Sequence, residues 1–203
     1  MTTPTGIDLQ KVAAARGFAA RAHGDQRYDG KPYVEGHLAY VFYEMGRIIE
    51  TEGLGGAATQ LLQAAWLHDV LEDTKVTRHE LVAAFPGVAA LVEAVTDEPG
   101  PNRKARKLAT YPKTRAAGRL AVALKLADRI ANVKAALRDL EARNAVVRAG
   151  GVAVTDIPLR FLAMYREEFP DLEAGLRYPK HEFHHTWGRL AELLFPTGQD
   201  LKD

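Results

Sequence analysis

The sequence has no cysteine, only three methionines and two tryptophans, and 27 Lys and Arg against 26 Asp and Glu over 203 residues. Without cysteine there can be no thiol nucleophile, iron–sulfur cluster, Cys-ligated zinc or disulfide framework, and a reducing compartment suits the chain. No apolar run approaches the roughly 18–20 residues that span a bilayer, and MTTPTGIDLQK has neither a basic stretch nor an apolar one that would mark a secretory leader. The composition therefore points to the cytoplasm and to no membrane partner. A formal charge of +1 supplies no general field for nucleic acid, and no zinc-finger, RRM or KH pattern is present. Nucleic acid is accordingly not expected as a partner. Length is not lacking: a chain of this size buries enough surface to fold without a structural metal, so any metal here would be functional.

What is there is helical. Leu9, Val12, Ala15/Arg16 and Ala19/Ala20 recur at helical spacing behind Asp8, a cap residue, and Gly24 closes this first helix. HGDQRYDGKPYVEG breaks the period and reads as an ordered loop before a helix from about His37 to Glu52. An Ala/Leu-rich buried helix is expected to run through about Asp73. Thr77-Arg-His-Glu80 carries a capping-box spacing for a short helix to Phe85, followed by another from about Pro86 to Val95. DEPGPNRKARK reads as a basic loop or frayed helix, and a long helix runs from Ala116 to about Ala142. Weaker helices fall near 158–168, 171–177 and 181–195. No segment alternates with period two, so the fold class is all-α, with a core in residues 1–150 and a C-terminal helical extension, 151–203, on the same domain.

Three segments carry chemistry. LLQAAWLHDVLEDT, 61–74, ends an apolar helix in one His and three carboxylates, a costly arrangement unless the charges are paired or bind a cation. On a continuous helix His68 and Asp69 lie about 100° apart, within reach of a common ion, with Glu72 and Asp73 one turn on. Solvated acids on a terminal turn are the plainer alternative. KLADRIANV, 125–133, puts Asp128 and Asn132 one turn apart inside a long helix; alone, Asp128 could simply pair with Lys125 or Arg129. Gly30-Lys-Pro-Tyr-Val-Glu-Gly-His37 delivers a His that alone could be a cap or packing residue.

In order, His37, His68-Asp69 and Asp128 resemble the H…HD…D signature of HD-domain metal-dependent phosphohydrolases. FAARAHGDQRYDGKPYVEGH, AAWLHDVLEDT, LVEAVTDE, ARK and KLADRIANV are similar, over roughly residues 9–140, to the guanosine tetraphosphate hydrolase domain of RelA/SpoT-type proteins and the small alarmone hydrolases. The resemblance implies a helical HD bundle and hydrolysis of the 3′-pyrophosphate of guanosine tetra- or pentaphosphate. It implies His37, His68, Asp69 and Asp128 as ligands of one Mn²⁺ and Glu72 with Asp73 as the catalytic acids. It implies nucleotide contacts from Arg27, Tyr28, Lys104, Arg106 and Asn132. A stand-alone hydrolase is expected, with the nucleotide as partner and a homo-oligomer left open. Another phosphorylated nucleotide as substrate, or a regulatory domain that binds nucleotide without turnover, are the alternatives.

Two departures stand out. The family pattern Pro-Tyr-x-x-His-Pro is here Pro32-Tyr33-Val-Glu-Gly-His37-Leu38, one residue longer, and a tight turn at Gly36 is expected to absorb the extra residue. Tyr28 stands where many relatives carry Lys or Arg, trading a charge for a ring. A competing motif, His181-Glu182-Phe-His-His185, fits the zinc-protease pattern H-E-x-x-H, but only 18 residues follow it, and it reads as a polar helix face.

Overall fold

The computed structural model describes residues 6–152, 155–177, 179 and 182–196. Among them, no helix is long and apolar enough to cross a membrane. The first helix, α1 (Leu9–His23), starts where the Asp8 carboxylate accepts from the Lys11 N–H and stops at Gly24, whose φ of 52° few side chains tolerate. Its small buried residues Val12, Ala15 and Ala19 let it lie close against α3 (Ala58–Leu67), which is buried on nearly every side. Between them come a two-residue antiparallel hairpin, β1 (Arg27–Tyr28) with β2 (Lys31–Pro32), a π-helical turn at Val34–Leu38, and α2 (Ala39–Thr51). The hairpin lies inside the stretch expected to be an ordered loop. Its tip is Asp29-Gly30, with φ of 50° and 73°, the positive pair that a two-residue hairpin turn requires.

After α3 the chain forms α4 (Val70–Asp73), α5 (Arg78–Ala84), α6 (Ala89–Val95), α7 (Arg103–Ala116), α8 (Arg119–Arg148), α9 (Ile157–Leu176) and α10 (His184–Leu194). The Thr77/Glu80 capping box is formed on both sides. The axis of the molecule is α8, 30 residues long, against which α2, α3, α6, α7, α9 and α10 all pack. Its buried stripe includes Leu124, Ala127, Ile130 and Ala131.

Three expectations need correction. The helix expected to continue through Asp73 breaks after Leu67, so His68 and Asp69 sit at the junction of α3 and α4. Of the two readings of the basic stretch after Gly100, loop or frayed helix, the helical one holds from Arg103 onward and the helix is not frayed: Asn102 caps α7 by accepting from the Ala105 N–H, and the helix runs to Ala116. The two helices placed at 158–168 and 171–177 are one, α9, with Pro170 inside it. Proline removes one backbone hydrogen bond there, but buried Leu162 and Tyr165 before it and Leu172 and Leu176 after it hold both halves on one face.

A single carboxylate ties three of these helices together. Glu168 on α9 accepts from Arg103 Nε on α7 at 2.5 Å and from Arg129 Nη1 on α8 at 2.8 Å. Burial opposes its charge, yet the two guanidiniums outweigh burial and hold its carboxyl below the usual range. Stability from such a group is present above the ordinary glutamate range and is lost as pH falls through the lowered value. Glu168→Gln is expected to cost about 1.5–3 kcal/mol at neutral pH, the usual weight of hydrogen bonds to a charged group. Urea unfolding checks this: the gap between variant and wild type should shrink steadily on acidification, and a gap independent of pH would contradict it.

Candidate active site

Four side chains from three places in the chain converge at one end of α3. His37 comes from the π-turn, His68 and Asp69 from the α3–α4 junction, and Asp128 from the middle of α8. His37 Nε2 lies 3.2 Å from His68 Nε2 and 3.2 Å from Asp69 Oδ2, and His68 Nε2 lies 3.0 Å from that same oxygen. Asp128 Oδ1 completes the group at 3.5 Å from His37 Nε2 and 3.7 Å from His68 Nε2. The imidazoles are buried, at 4% and 3% exposure, while the carboxylates keep 16% and 19% open toward the cleft.

The surrounding hydrogen bonds orient this set. His68 Nδ1 is 3.0 Å from the Ala65 carbonyl, which can only accept, so that nitrogen carries the proton and Nε2 turns its lone pair inward when the ring is neutral. The Tyr33 hydroxyl donates to Asp69 Oδ2 at 2.6 Å, and Asn132 Nδ2 donates to Asp128 Oδ1 at 2.6 Å. Burial disfavours charge on His68, but Asp69 and Asp128 outweigh it and lift the imidazole well above its usual range. Burial likewise opposes both carboxylates, and the two histidines overcome it and hold them well below theirs. The cluster is thus stable only with positive charge at its centre. Two imidazole nitrogens and the Asp69 carboxylate, with no sulfur and with Asp128 beside them, form a donor set suited to one divalent cation of the Mn²⁺, Fe²⁺ or Zn²⁺ kind, and the inward lone pair of His68 fits it.

The extra residue before His37 is absorbed differently from expectation. Gly36 has no positive φ and makes no tight turn; instead the Ala39 N–H reaches back to the Val34 carbonyl, the i→i+5 bond of a π-turn. The one-residue insertion widens the helix start by one residue, and His37 still points into the cluster. Gly36 is needed for another reason. A Cβ there would stand 2.6 Å from the Tyr28 carbonyl oxygen and 3.2 Å from Tyr28 Cβ.

Beyond the cluster a cleft of about 180 Å³ opens, lined by both acids and cations. Glu72 and Asp73 flank it from α4. Glu72 Oε1 accepts from the Asp97 N–H at 2.6 Å, and Asp73 Oδ2 accepts from Gln26 Nε2 at 3.0 Å. Desolvation by the packed atoms around Glu72, helped by the charges of Asp69 and Asp97 and opposed by Lys125, pushes its carboxyl above the usual range. The same cleft is lined by Arg103, Lys107, Lys125 and Arg129. Lys125 is 5% exposed and donates to the Val95 carbonyl, and Lys107 donates to Asp97 Oδ1 at 2.8 Å.

Other expected residues fall around the cleft. Tyr28 donates to Asn132 Oδ1 at 3.2 Å, with its ring centre 5.1 Å from that of His37. Arg27 is exposed on β1, outside the cleft lining. Lys104, at 70% exposure, lies 3.7 Å from Asp171, and Arg106 lies 3.9 Å from Asp97; neither lines the cleft. Their immediate neighbours Arg103 and Lys107, one turn apart on α7, do. A stretch read as a loop or frayed helix has no phase, and only the helical phase of α7 selects between these pairs. Lys125, Arg129 and Tyr165 were also passed over, although Lys125 and Arg129 share the i, i+4 spacing of Asp128 and Asn132 in KLADRIANV. In the competing motif, His181 lies outside the described residues and His185 is exposed on α10.

No family model matches the chain. Among curated proteins it is similar to guanosine-3′,5′-bis(diphosphate) 3′-pyrophosphohydrolase MESH1 of Homo sapiens, 35% identical over 142 residues, 66% of this chain and 72% of that protein. The Xenopus tropicalis protein of the same name is 35% identical over 138 residues, with the same shares covered. A longer guanosine-3′,5′-bis(diphosphate) 3′-pyrophosphohydrolase of Aquifex aeolicus is 36% identical over 132 residues, 62% of this chain and 18% of that one. A solved structure described as a metazoan ortholog of SpoT that hydrolyzes ppGpp matches with a TM-score of 0.60 at 23% identity, over 95% of this chain and 97% of that one. The fold is therefore shared along nearly the whole chain.

The contact at Gly36 gives a direct check on the π-turn. Gly36→Ala is expected to push the Tyr28 carbonyl away and cost about 1–3 kcal/mol, the usual range for overpacking. Thermal unfolding reads this as a lowered midpoint, and an unchanged midpoint would show that the hairpin does not press on the turn.

Proposed function

This chain belongs to the guanosine-3′,5′-bis(diphosphate) 3′-pyrophosphohydrolase family, and from that premise we propose that it removes the 3′-pyrophosphate of guanosine tetra- and pentaphosphate, yielding pyrophosphate with GDP or GTP. The observation that carries the reading is what lines one cleft: Glu72 and Asp73 beside a cation-binding cluster, together with four basic side chains. A polyanion fits the basic side chains, and a hydrolytic water fits the acids.

His37, His68, Asp69 and Asp128 would hold the cation, with Mn²⁺ the proposed occupant. Such an ion, when bound, lowers the pKa of a coordinated water and draws charge from a phosphoryl oxygen. The chain's own residues do the rest. Glu72, poised by its raised pKa, takes the proton from the attacking water while the Asp97 N–H fixes its direction. Asp73, tethered by Gln26, orients that water. The new bond forms between the water oxygen and the phosphorus attached to the 3′-oxygen. The P–O3′ bond breaks, and the ribose oxygen takes up the proton that Glu72 removed from the water. Arg103, Lys107, Lys125 and Arg129 offset the charge on the oxygens of the pyrophosphate group as it passes from the ribose oxygen to the water, in a cleft where two of them are already desolvated. Asn132, held between Asp128 and Tyr28, faces the ribose side. The cysteine-free, charge-balanced composition supports a cytoplasmic setting.

Ion-exchange analysis of products after incubation with Mn²⁺ and guanosine tetraphosphate tests the reading. Wild type should release pyrophosphate and GDP, and Glu72→Gln should lower kcat by about 10²–10⁴-fold with little change in KM, the usual weight of a general base. Absence of pyrophosphate from wild type, or a Glu72→Gln variant as active as wild type, would overturn it.

A further inference from the structure

The last residue of α1 belongs to neither the cation cluster nor the lining of the cleft. His23 is 6% exposed, and its ring stacks on Tyr33, with centres 4.5 Å apart and planes 20° from parallel. Tyr33 in turn holds Asp69 through its hydroxyl. At the edge of the ring, His23 Nδ1 lies 2.8 Å from Gln26 Oε1, and Gln26 Nε2 donates to Asp73 Oδ2 at 3.0 Å. A line of hydrogen bonds thus runs from the buried end of α1 to an acid of the cleft. Gly24, with a φ of 52°, turns the chain between His23 and Gln26 and lets the Gln26 N–H donate to the His23 carbonyl at 3.0 Å.

Hydrogen-bond polarity fixes the sense of this line. A carboxylate only accepts, so the Gln26 atom facing Asp73 is the amide nitrogen and the atom facing His23 is the carbonyl oxygen. That oxygen also only accepts, so His23 Nδ1 carries the ring proton. Nε2 then holds a lone pair, and it is buried with no hydrogen-bond partner among the described residues. The opposite tautomer would bury an unpartnered N–H there and set two lone pairs against each other at Nδ1. The backbone of Gln26 is held at both ends, its N–H by the His23 carbonyl and its carbonyl by the Tyr33 N–H at 2.9 Å. What stays free is a half-turn of the terminal amide, which would present an oxygen to the Asp73 carboxylate, acceptor against acceptor. The same half-turn would set the NH₂ group against His23 Nδ1–H, donor against donor.

Resting on the hydrolase reading, we propose that His23 is a positioning residue for the attacking water. Its Nδ1–H selects one sense of the Gln26 amide, and the amide holds the Asp73 carboxylate in the orientation that directs the water. His23 itself touches no reacting atom; it acts through Gln26. The stack on Tyr33 keeps the imidazole in the plane that this requires, so one buried ring braces both Asp73 and the tyrosine that holds Asp69. Without His23 the amide of Gln26 can turn and release Asp73, and misplacing a group that orients a reactant costs rate at the chemical step.

The test measures kcat and KM with Mn²⁺ and guanosine tetraphosphate for wild type, His23→Phe, His23→Asn, Gln26→Leu and the double variant His23→Phe/Gln26→Leu. Phe keeps a ring to stack on Tyr33 and loses the donor; Asn loses the ring and keeps an N–H donor on an atom bonded to Cγ, where Nδ1 stands. His23→Phe and Gln26→Leu should each lower kcat about 10- to 100-fold, with KM within about twofold of wild type. The double variant should be no slower than the slower single, because both changes remove one interaction, and His23→Asn should stay within about fivefold of wild type. A His23→Phe variant as fast as wild type, single losses that multiply in the double variant, or His23→Asn as slow as His23→Phe would overturn the assignment and leave the hydrolase reading standing. Long-range proton–nitrogen NMR of wild type reads the tautomer without turnover and serves even where a variant fails to fold: a proton on His23 Nδ1 is expected, and a proton on Nε2 would overturn the assignment. Wild type that turns over no guanosine tetraphosphate would overturn the hydrolase reading and this assignment with it.

Discussion

Everything near the functional end of this molecule follows from one electrostatic constraint: two buried imidazoles and two carboxylates meet, each imidazole within 3.7 Å of both carboxylates, at the centre of a helical core. Such a group is expensive to bury unless its charges are matched. The fold meets that cost from several directions. The Ala65 carbonyl fixes one His, the Tyr33 hydroxyl holds Asp69, and Asn132 holds Asp128. The break between α3 and α4 turns His68 and Asp69 toward a common centre, and the π-turn does the same for His37. π-Turns of this kind concentrate at functional sites, because one added residue re-aims a side chain without unravelling the helix that follows.

The long helix α8 is what makes the arrangement rigid. It carries Asp128 and Asn132 at the cluster and Lys125 and Arg129 in the basic lining of the cleft. These residues therefore keep fixed distances from one another. The Arg103–Glu168–Arg129 link then fastens α7 and α9 to it, so that the arginines of the cleft are set by the same ion pairs that hold the helices together. The ion pairs of the fold and the basic lining of the cleft draw on one set of charges.

Much of this was legible in the sequence, and the boundary of legibility has a physical basis. Motifs that sit within a few residues of each other, His68-Asp69 with Glu72-Asp73 or Asp128 with Asn132, announce themselves as polar groups on apolar helices. The Asp8 cap and the Thr77/Glu80 box are local hydrogen bonds and read equally well. What escaped depends on contacts far apart in the chain. Nothing local marks α7 as a helix against the pull of Gly100, Pro101 and Pro112, and without its phase Lys104 and Arg106 cannot be told from Arg103 and Lys107. The single helix through Pro170 is likewise decided by packing on both sides of the proline, which overrides local preference. At Gly36 the sequence pointed to the right residue for the wrong reason: the glycine answers a carbonyl across the hairpin, not a turn of its own backbone.

The account stands on the claim that His37, His68, Asp69 and Asp128 are a preformed cation site, and the most direct measurement is Mn²⁺ binding by the metal-stripped protein, followed by electron paramagnetic resonance of the free ion. One ion bound per chain, with binding lost in His37→Ala and in Asp128→Ala while both variants keep a cooperative thermal transition, is the result the account predicts. Folded protein that leaves the Mn²⁺ signal undiminished, or a His37→Ala variant that binds as wild type does, would contradict it.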